Sequence, residues 1–324
     1  RYTTASEENS RAVAEAAIEE FCARVKRYAG RGKWHQLLIS GNGNRWAPAG
    51  VNRWLRDLGI FGQRSHEKRI PAAVFRLSNA QIAQLLRHLW ATDGSIGVRR
   101  ETSHGGHRVY FSTSSRGLAS DVAALLLRIG IVARTHRVDE TPHRPCYCVE
   151  VSGCSAQRRF IDTVGGFGPR SDPARHLADA LAGMRSNTNV DTVPREVFAR
   201  VRTAMLEQGI TQREMTWLRG TSYGGSSHFR FAPSRAVVAD YAEILQDDGL
   251  RAAARSDLFW DTVVDVRDAG TEDVYDLTVP GPSSWLADGI VSHNSGALEQ
   301  DADIVMMLWR DKDETPPGSP KLIH

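Results

Sequence analysis

Near its C-terminal end the chain carries His293-Asn294-Ser295, three side chains whose order suits breaking a peptide bond. The Asn294 side-chain amide nitrogen can attack that residue's own peptide carbonyl. A new C–N bond closes a succinimide ring, and the bond to Ser295 breaks. His293 can hand a proton to the departing amine, and the Ser295 hydroxyl can accept an acyl group. Such a tripeptide also occurs in ordinary loops, so the chemistry rests on its surroundings. Before it stand two strand-like runs, Val274-Tyr-Asp-Leu-Thr-Val279 and Trp285-Leu-Ala-Asp-Gly-Ile-Val-Ser-His293. After it the pattern changes abruptly.

A second reactive candidate is Asp93, in Leu86-Arg-His-Leu-Trp-Ala-Thr-Asp93-Gly94. A carboxylate at a helix C-terminus faces the negative end of the helix dipole and costs stability; a purely structural sequence places Lys or Arg there. Its hard oxygens suit Mg²⁺, which activates bound water and stabilises developing phosphate charge. Gly94 is expected to turn left-handed and cap the helix. The plain alternative is a helix end followed by an Asp-Gly turn.

The elements that position these residues are legible in the periodicity. A helical pattern spans 7–29, with Ala12, Val13, Ala16, Ile18 and Phe21 broadly on one side. A short strand at 37–40, a turn at 41–44 and a helix at 48–58 follow. The Asp93 helix runs over 78–92 and leads into a hairpin, 95–100 and 107–112. A helix at 118–129, strands at 132–138 and 146–151 and a helix at 155–164 complete an α-β-β-α-β-β-α order, α+β in class. Residues 165–190, rich in Gly, Pro, Ser and Asn, read as a linker. A helical insert covers 194–248, and from residue 257 the character is strand, beginning with 260–266.

Within the insert, the stretch 197–208 and then Gly209-Ile-Thr-Gln-Arg-Glu-Met-Thr-Trp-Leu218 resembles a helix-turn-helix. Thr211 can cap the second helix with Glu214 at its third position, and Gln212 and Arg213 would lead that helix into a DNA major groove. A plain helical hairpin is the alternative. The loop Tyr223-Gly-Gly-Ser-Ser-His228 is read as flexible, with Arg230 or Arg235 in reach of phosphate. On the hairpin strands Arg99, Arg100, Arg108 and Arg134 are the candidate DNA contacts, against the reading of a solvated charged face.

At 324 residues the chain accommodates two domains. Net charge is +3, and nearly all the cations are Arg, the better fork for phosphate oxygens; codon bias toward Arg is the alternative. No apolar run is long enough for a membrane span. Cys22, Cys146, Cys148 and Cys154 fit no zinc spacing and suit reduced thiols of a cytoplasmic protein. The start at Arg1 and the end at His324 read as cut edges of a longer protein.

These motifs resemble known families. Residues 257–294 resemble the C-terminal splicing region of an intein, an all-β Hint segment. The segment after it, with Glu299-Gln-Asp-Ala-Asp303 and the apolar run from Ile304 to Leu308, resembles the RecA-like ATPase domain of a DnaB-type replicative DNA helicase. The Asp93 helix resembles the signature helix of LAGLIDADG homing endonucleases, and Lys68-Arg-Ile-Pro71 the block preceding the second such helix. The resemblance implies 1–60 as the remainder of a first LAGLIDADG half, 61–170 as the second, and 171–256 as linker and helical insert. It implies 257–294 as splicing region and 295–324 as host helicase.

The resemblance also assigns roles. Asn294 cyclises, His293 assists, Ser295 accepts the branch, and Asp276 tunes the nucleophiles. Asp93 holds Mg²⁺ at a scissile phosphate of double-stranded DNA. The spliced helicase would be a hexamer using ATP, with its phosphate loop in sequence outside this chain. Three departures stand out. Ser283 occupies a position often held by His. Arg87 and His88 stand where small residues let paired helices approach. An N-terminal nucleophile and a first signature acid belong to missing segments. Rival readings are a free-standing homing endonuclease and a non-enzymatic helix-turn-helix regulator.

Overall fold

The computed structural model describes residues 1–99, 106–139, 144–184, 191–263, 265–271, 273, 279, 284–287 and 289–293. Contacts divide the chain into two units. One is built on residues 1–152, 156–182 and the stretch from 267; the other on 153–155 and 183–266.

The first unit opens with β1 (Tyr2–Thr4), α1 (Glu7–Phe21), β2 (Arg24–Ala29), β3 (His35–Ser40) and α2 (Gly50–Asp57). Its three strands form an antiparallel sheet ordered β1-β3-β2. A 3-10 turn at Ala72–Arg76 leads to α3 (Asn79–Asp93), β4 (Gly94–Gly97), β5 (Arg108–Thr113), α4 (Arg116–Arg128), β6 (Arg134–Val138), β7 (Cys146–Val151) and α5 (Cys154–Thr163). The second sheet runs β4-β5-β7-β6, which is the order of the first with one more strand at the β5 edge.

The likeness extends to the corners. At the end of β1 the Thr4 hydroxyl accepts the Ser6 N–H at 3.0 Å, and the Ser6 hydroxyl caps α1 by accepting the Asn9 N–H at 3.1 Å. At the end of β5 the Thr113 hydroxyl accepts the Ser115 N–H at 3.1 Å, and Ser115 caps α4 by accepting the Leu118 N–H at 3.1 Å. A Thr-x-Ser corner thus turns strand into helix twice, each time satisfying a first-turn donor that the helix itself cannot.

The core of this unit lies between α3, α4, α5 and the second sheet. Val109 and Phe111 alternate inward on β5, opposite Val151 and Val149 of β7. Trp90 of α3 packs against Phe111 at 5.6 Å and Phe160 at 4.8 Å between ring centroids. Ile82, Leu86 and Leu125 are fully buried beside them. Each such side chain contributes about 1.5–3 kcal/mol by leaving water.

Four expectations are corrected. The helix predicted over 7–29 stops at Phe21, because Cys22 turns left-handed (φ 48°) and residues 24–29 pair along their length with β3. The linker predicted over 165–190 contains α6 (Ser171–Ala182), which buries Ala174, Leu177 and Leu181; the preceding Gly and Pro residues form a separate turn at Gly168–Arg170. The described residues of the expected strand 260–266 are exposed and form no strand. Gly94 has φ −86°, an extended conformation. Glycine is required there for space: a Cβ would stand 2.4 Å from the Trp90 ring and 2.7 Å from Trp90 Cα.

The second unit is helical: α7 (Val197–Glu207), α8 (Gln212–Leu218), a 3-10 turn at Gly225–Phe229, α9 (Arg235–Leu245) and α10 (Asp248–Arg255). Phe198, Val201, Met215, Val238, Tyr241 and Leu250 form its core. Gly209 has φ +66° between α7 and α8, and Thr211 and Glu214 make the reciprocal capping box. Back in the first unit, β8 (Ser284–Ala287) and β9 (Ile290–His293) pair as a hairpin, the part of the expected all-β region that the described residues carry as sheet. Among the described residues no helix is long and apolar enough to cross a membrane, and the four cysteines are free.

Candidate nucleic-acid and metal site

The Asp93 end of α3 is fixed from both directions. Ser78 begins the helix with a capping box to Gln81, and Ile82, Leu86 and Trp90 bury one stripe of it. At the other end, carbonyls left without a helical donor are taken by side chains of two other segments. Asn9 of α1 donates its Nδ2 to Ala91 O at 3.1 Å, and Arg170 donates its Nε to Gly94 O at 2.8 Å. Asn9 is buried, and Gly168, with φ +53°, lets the 168–170 turn approach it: a Cβ there would meet Asn9 Oδ1 at 2.6 Å.

Asp93 itself is exposed, and among the described residues its carboxylate has no ion pair or hydrogen bond. No group of three metal-ligating side chains gathers among the described residues. Asp93 supplies one hard carboxylate of the kind an ion such as Mg²⁺ accepts, and the described residues bring no second and third ligand to it. The bulky neighbours are used locally. Arg87 donates its Nε to Val164 O at 2.6 Å, and the His88 ring packs against Phe167 at 4.6 Å. Burial, then the charge of Arg87, pushes the His88 pKa down, so the ring favours its neutral form.

Arg108 and Arg134 stand on the same outward face of the second sheet by register. Tyr110 pairs with Glu150, which pairs with Arg134 on its other side. Arg108 lies over the Tyr110 ring at 4.8 Å. Arg99 follows β4 and its N–H donates to His107 Nδ1 at 2.9 Å; Arg100 lies outside the described residues. The first sheet presents a matching set that the sequence reading missed: Arg24, Lys26 and Tyr28 alternate outward on β2. Their period of two was the available signal, hidden by reading the segment as helix.

In the second unit Gln212 is the first residue of α8, and the Arg213 guanidinium lies 5.5 Å from the Tyr223 ring centroid. The loop expected to be flexible includes the 3-10 turn at Gly225–Phe229. Arg235 is committed to structure, with its Nε donating to Asp191 at 2.8 Å and an Nη to Ser256 O at 2.6 Å. That removes it from the phosphate-contact candidates.

At the peptide-cleavage tripeptide, His293 is the last residue of β9 and pairs in register with Ser284. Asn294, Ser295, Asp276 and Ser283 lie outside the described residues.

Residues 80–165 match the family described as LAGLIDADG-like domain. The chain is 39% identical over 317 residues to the replicative DNA helicase DnaB of Rhodothermus marinus, covering 96% of this chain and 33% of that protein. It is also 27% identical over 271 residues to protein RecA of Mycobacterium bovis, covering 76% of this chain and 33% of that one. With a DNA gyrase protein of Mycobacterium gordonae the identity is 29% over 272 residues, covering 79% and 44%. The chain thus spans about a third of the DnaB relative's length. A crystal structure of I-DmoI in complex with DNA and Mn resembles it at 13% identity and a TM-score of 0.34, covering 50% of this chain and 78% of that one.

Proposed function

We propose that this chain, which holds a LAGLIDADG-like domain at residues 80–165 and is related over nearly its whole length to DnaB replicative helicases, is a piece of a helicase precursor interrupted by an intein with a homing endonuclease. One observation carries the reading. Relatives named as a helicase, a recombination protein and a gyrase each align with three quarters or more of this chain. A stretch common to three differently named hosts has the signature of a transferable insert.

In this reading residues 1–60 are the remainder of the first endonuclease half and 61–170 the second, and the repeated strand order and Thr-x-Ser corners support that division. Residues 171–256 are the helical insert, 257–294 the splicing region and 295–324 host helicase. Asn294 Nδ2 closes on its own carbonyl carbon, the bond to Ser295 breaks, and His293 protonates the amine released. Ser295 accepts the acyl branch, and Asp276 tunes these groups. Strand pairing up to His293 holds the backbone on the upstream side of the cut. The rejoined host would be an ATP-dependent hexameric helicase.

For the endonuclease, Asp93 would hold Mg²⁺ through its carboxylate, and the ion when bound would supply activated water and neutralisation of phosphate charge. Arg108 and Arg134, with Arg99 and Arg100, contact the DNA duplex, and Gln212 and Arg213 lead a second contact from the helical insert.

Intact-mass measurement of the purified chain tests the splicing half. Slow release of the 295–324 peptide is expected from the wild type and not from Asn294→Ala. Equal release from both removes Asn294 from the mechanism.

A further inference from the structure

Arg170 sits one residue away from Asp93, on the Gly94 carbonyl, yet the two charges make no ion pair among the described residues. A cation recruited only to calm a helix C-terminus has a carboxylate within the same turn to close upon. Here the guanidinium spends its Nε on a neutral carbonyl and leaves both Nη groups without a partner among the described residues. The side chain is half-buried, so its direction is set by packing. Its backbone is set too: Arg170 N–H donates to Phe167 O at 3.1 Å, and a Cβ on Gly166 would stand 2.3 Å from Arg170 O. α3 has no basic residue in its own last turn, so this cation comes from another segment altogether.

A planar fork with two unused edges that the acid on the neighbouring residue does not take up is an arrangement for an incoming oxyanion. We propose that Arg170 is a phosphate-binding residue: its Nη groups hold a non-bridging oxygen of a DNA phosphodiester at the C-terminal end of α3. Asn9 is the positioning residue that keeps the last turn of α3 in place for that contact. This inference rests on the endonuclease reading for its substrate, but not on Asp93 holding a metal.

The test uses the full chain, a mixed-sequence DNA duplex in Ca²⁺ buffer, and Tb³⁺ as the metal probe. Trp90 lies one helical turn from Asp93 and can sensitise terbium luminescence. Arg170→Gln is expected to weaken duplex binding several-fold and to lower the slope of log affinity against log salt by about one, the release of one counterion. Arg170→Lys, which keeps the charge, is expected to restore the slope. A merely structural role leaves that slope unmoved.

Luminescence separates damage from loss of contact. A lowered slope with luminescence retained in Arg170→Gln supports the assignment. If Arg170→Gln loses luminescence, the comparison passes to Arg170→Ala and Arg170→Lys. A wild-type slope in any neutral variant that still binds terbium overturns the proposal, and so does loss of luminescence in every neutral variant, which makes Arg170 structural. Asp93→Asn judges the metal reading alone: unchanged luminescence there removes Asp93 as a ligand while leaving the Arg170 slope to stand by itself.

Discussion

Arg69 and Asp121 form a two-pronged ion pair, Nε to Oδ2 at 2.8 Å and Nη2 to Oδ1 at 2.9 Å, and the Ile70 N–H donates to the same carboxylate at 2.9 Å. The Asp121 side chain is 7% exposed, and the Ser115 hydroxyl donates to Lys68 O at 2.7 Å beside it. The segment Lys68-Arg-Ile-Pro71 is thereby tied to α4. Asp121→Ala strips a partner from a charged donor and a backbone N–H together. It is expected to cost about 2–4 kcal/mol, read as a lower urea midpoint at unchanged slope.

Gly94→Ala is expected to destabilise by about 1–3 kcal/mol through overpacking. Because the added methyl meets Trp90 Cα as well as its ring, Trp90→Leu in the same chain should relieve only part of the loss. A double-mutant cycle on thermal or urea midpoints measures the coupling, and full additivity would place the clash elsewhere.

His228 gives the helical unit a pH dependence of known sign. Burial, then the neighbouring Arg219 at 3.2 Å, lowers its pKa from an ordinary 6.5. The unfolded chain therefore binds the proton more readily. Stability is full above the unfolded value of 6.5, declines as pH falls below it, and levels off below the lowered folded value. Urea midpoints across that range should slope for the wild type and slope less for His228→Asn. Burial of His88 acts in the same direction, so a residual slope is expected.

On the proposed endonuclease reading, Asp93→Ala abolishes metal-dependent DNA cleavage by a longer protein containing this chain while leaving DNA affinity within a few-fold. Nicking assays and band shifts on one preparation measure both. Normal cleavage by the variant would refute the metal assignment.

Much of the fold over residues 78–164 was legible because its helices and strands keep clean periods of 3.6 and 2. Val109 and Phe111 alternate, and Leu86 and Trp90 recur one turn apart. The first half was harder. The Cys22 reversal falls on a residue type with no turn preference, so the helix pattern ran on into β2. Gly94 shows the opposite failure: glycine was expected for its backbone freedom and is needed for its missing side chain. The place of Asp93 at the exposed C-terminal end of its helix was readable in the sequence. Arg170 was not, since its partner is a backbone carbonyl 76 residues away and nothing local announces it. Asn294, Ser295 and Asp276, assigned to splicing through their motif alone, lie outside the described residues.

The two Thr-x-Ser corners launch α1 and α4 from their strands by the same hydrogen bonds, so the two sheets share a scaffold while their outward letters differ. One displays Arg24, Lys26 and Tyr28; the other displays Arg134, His136 and Val138 in the corresponding strand. A partner lying across either sheet meets the same strand order carrying different side chains. Symmetry survives in the stride and is lost in the spelling.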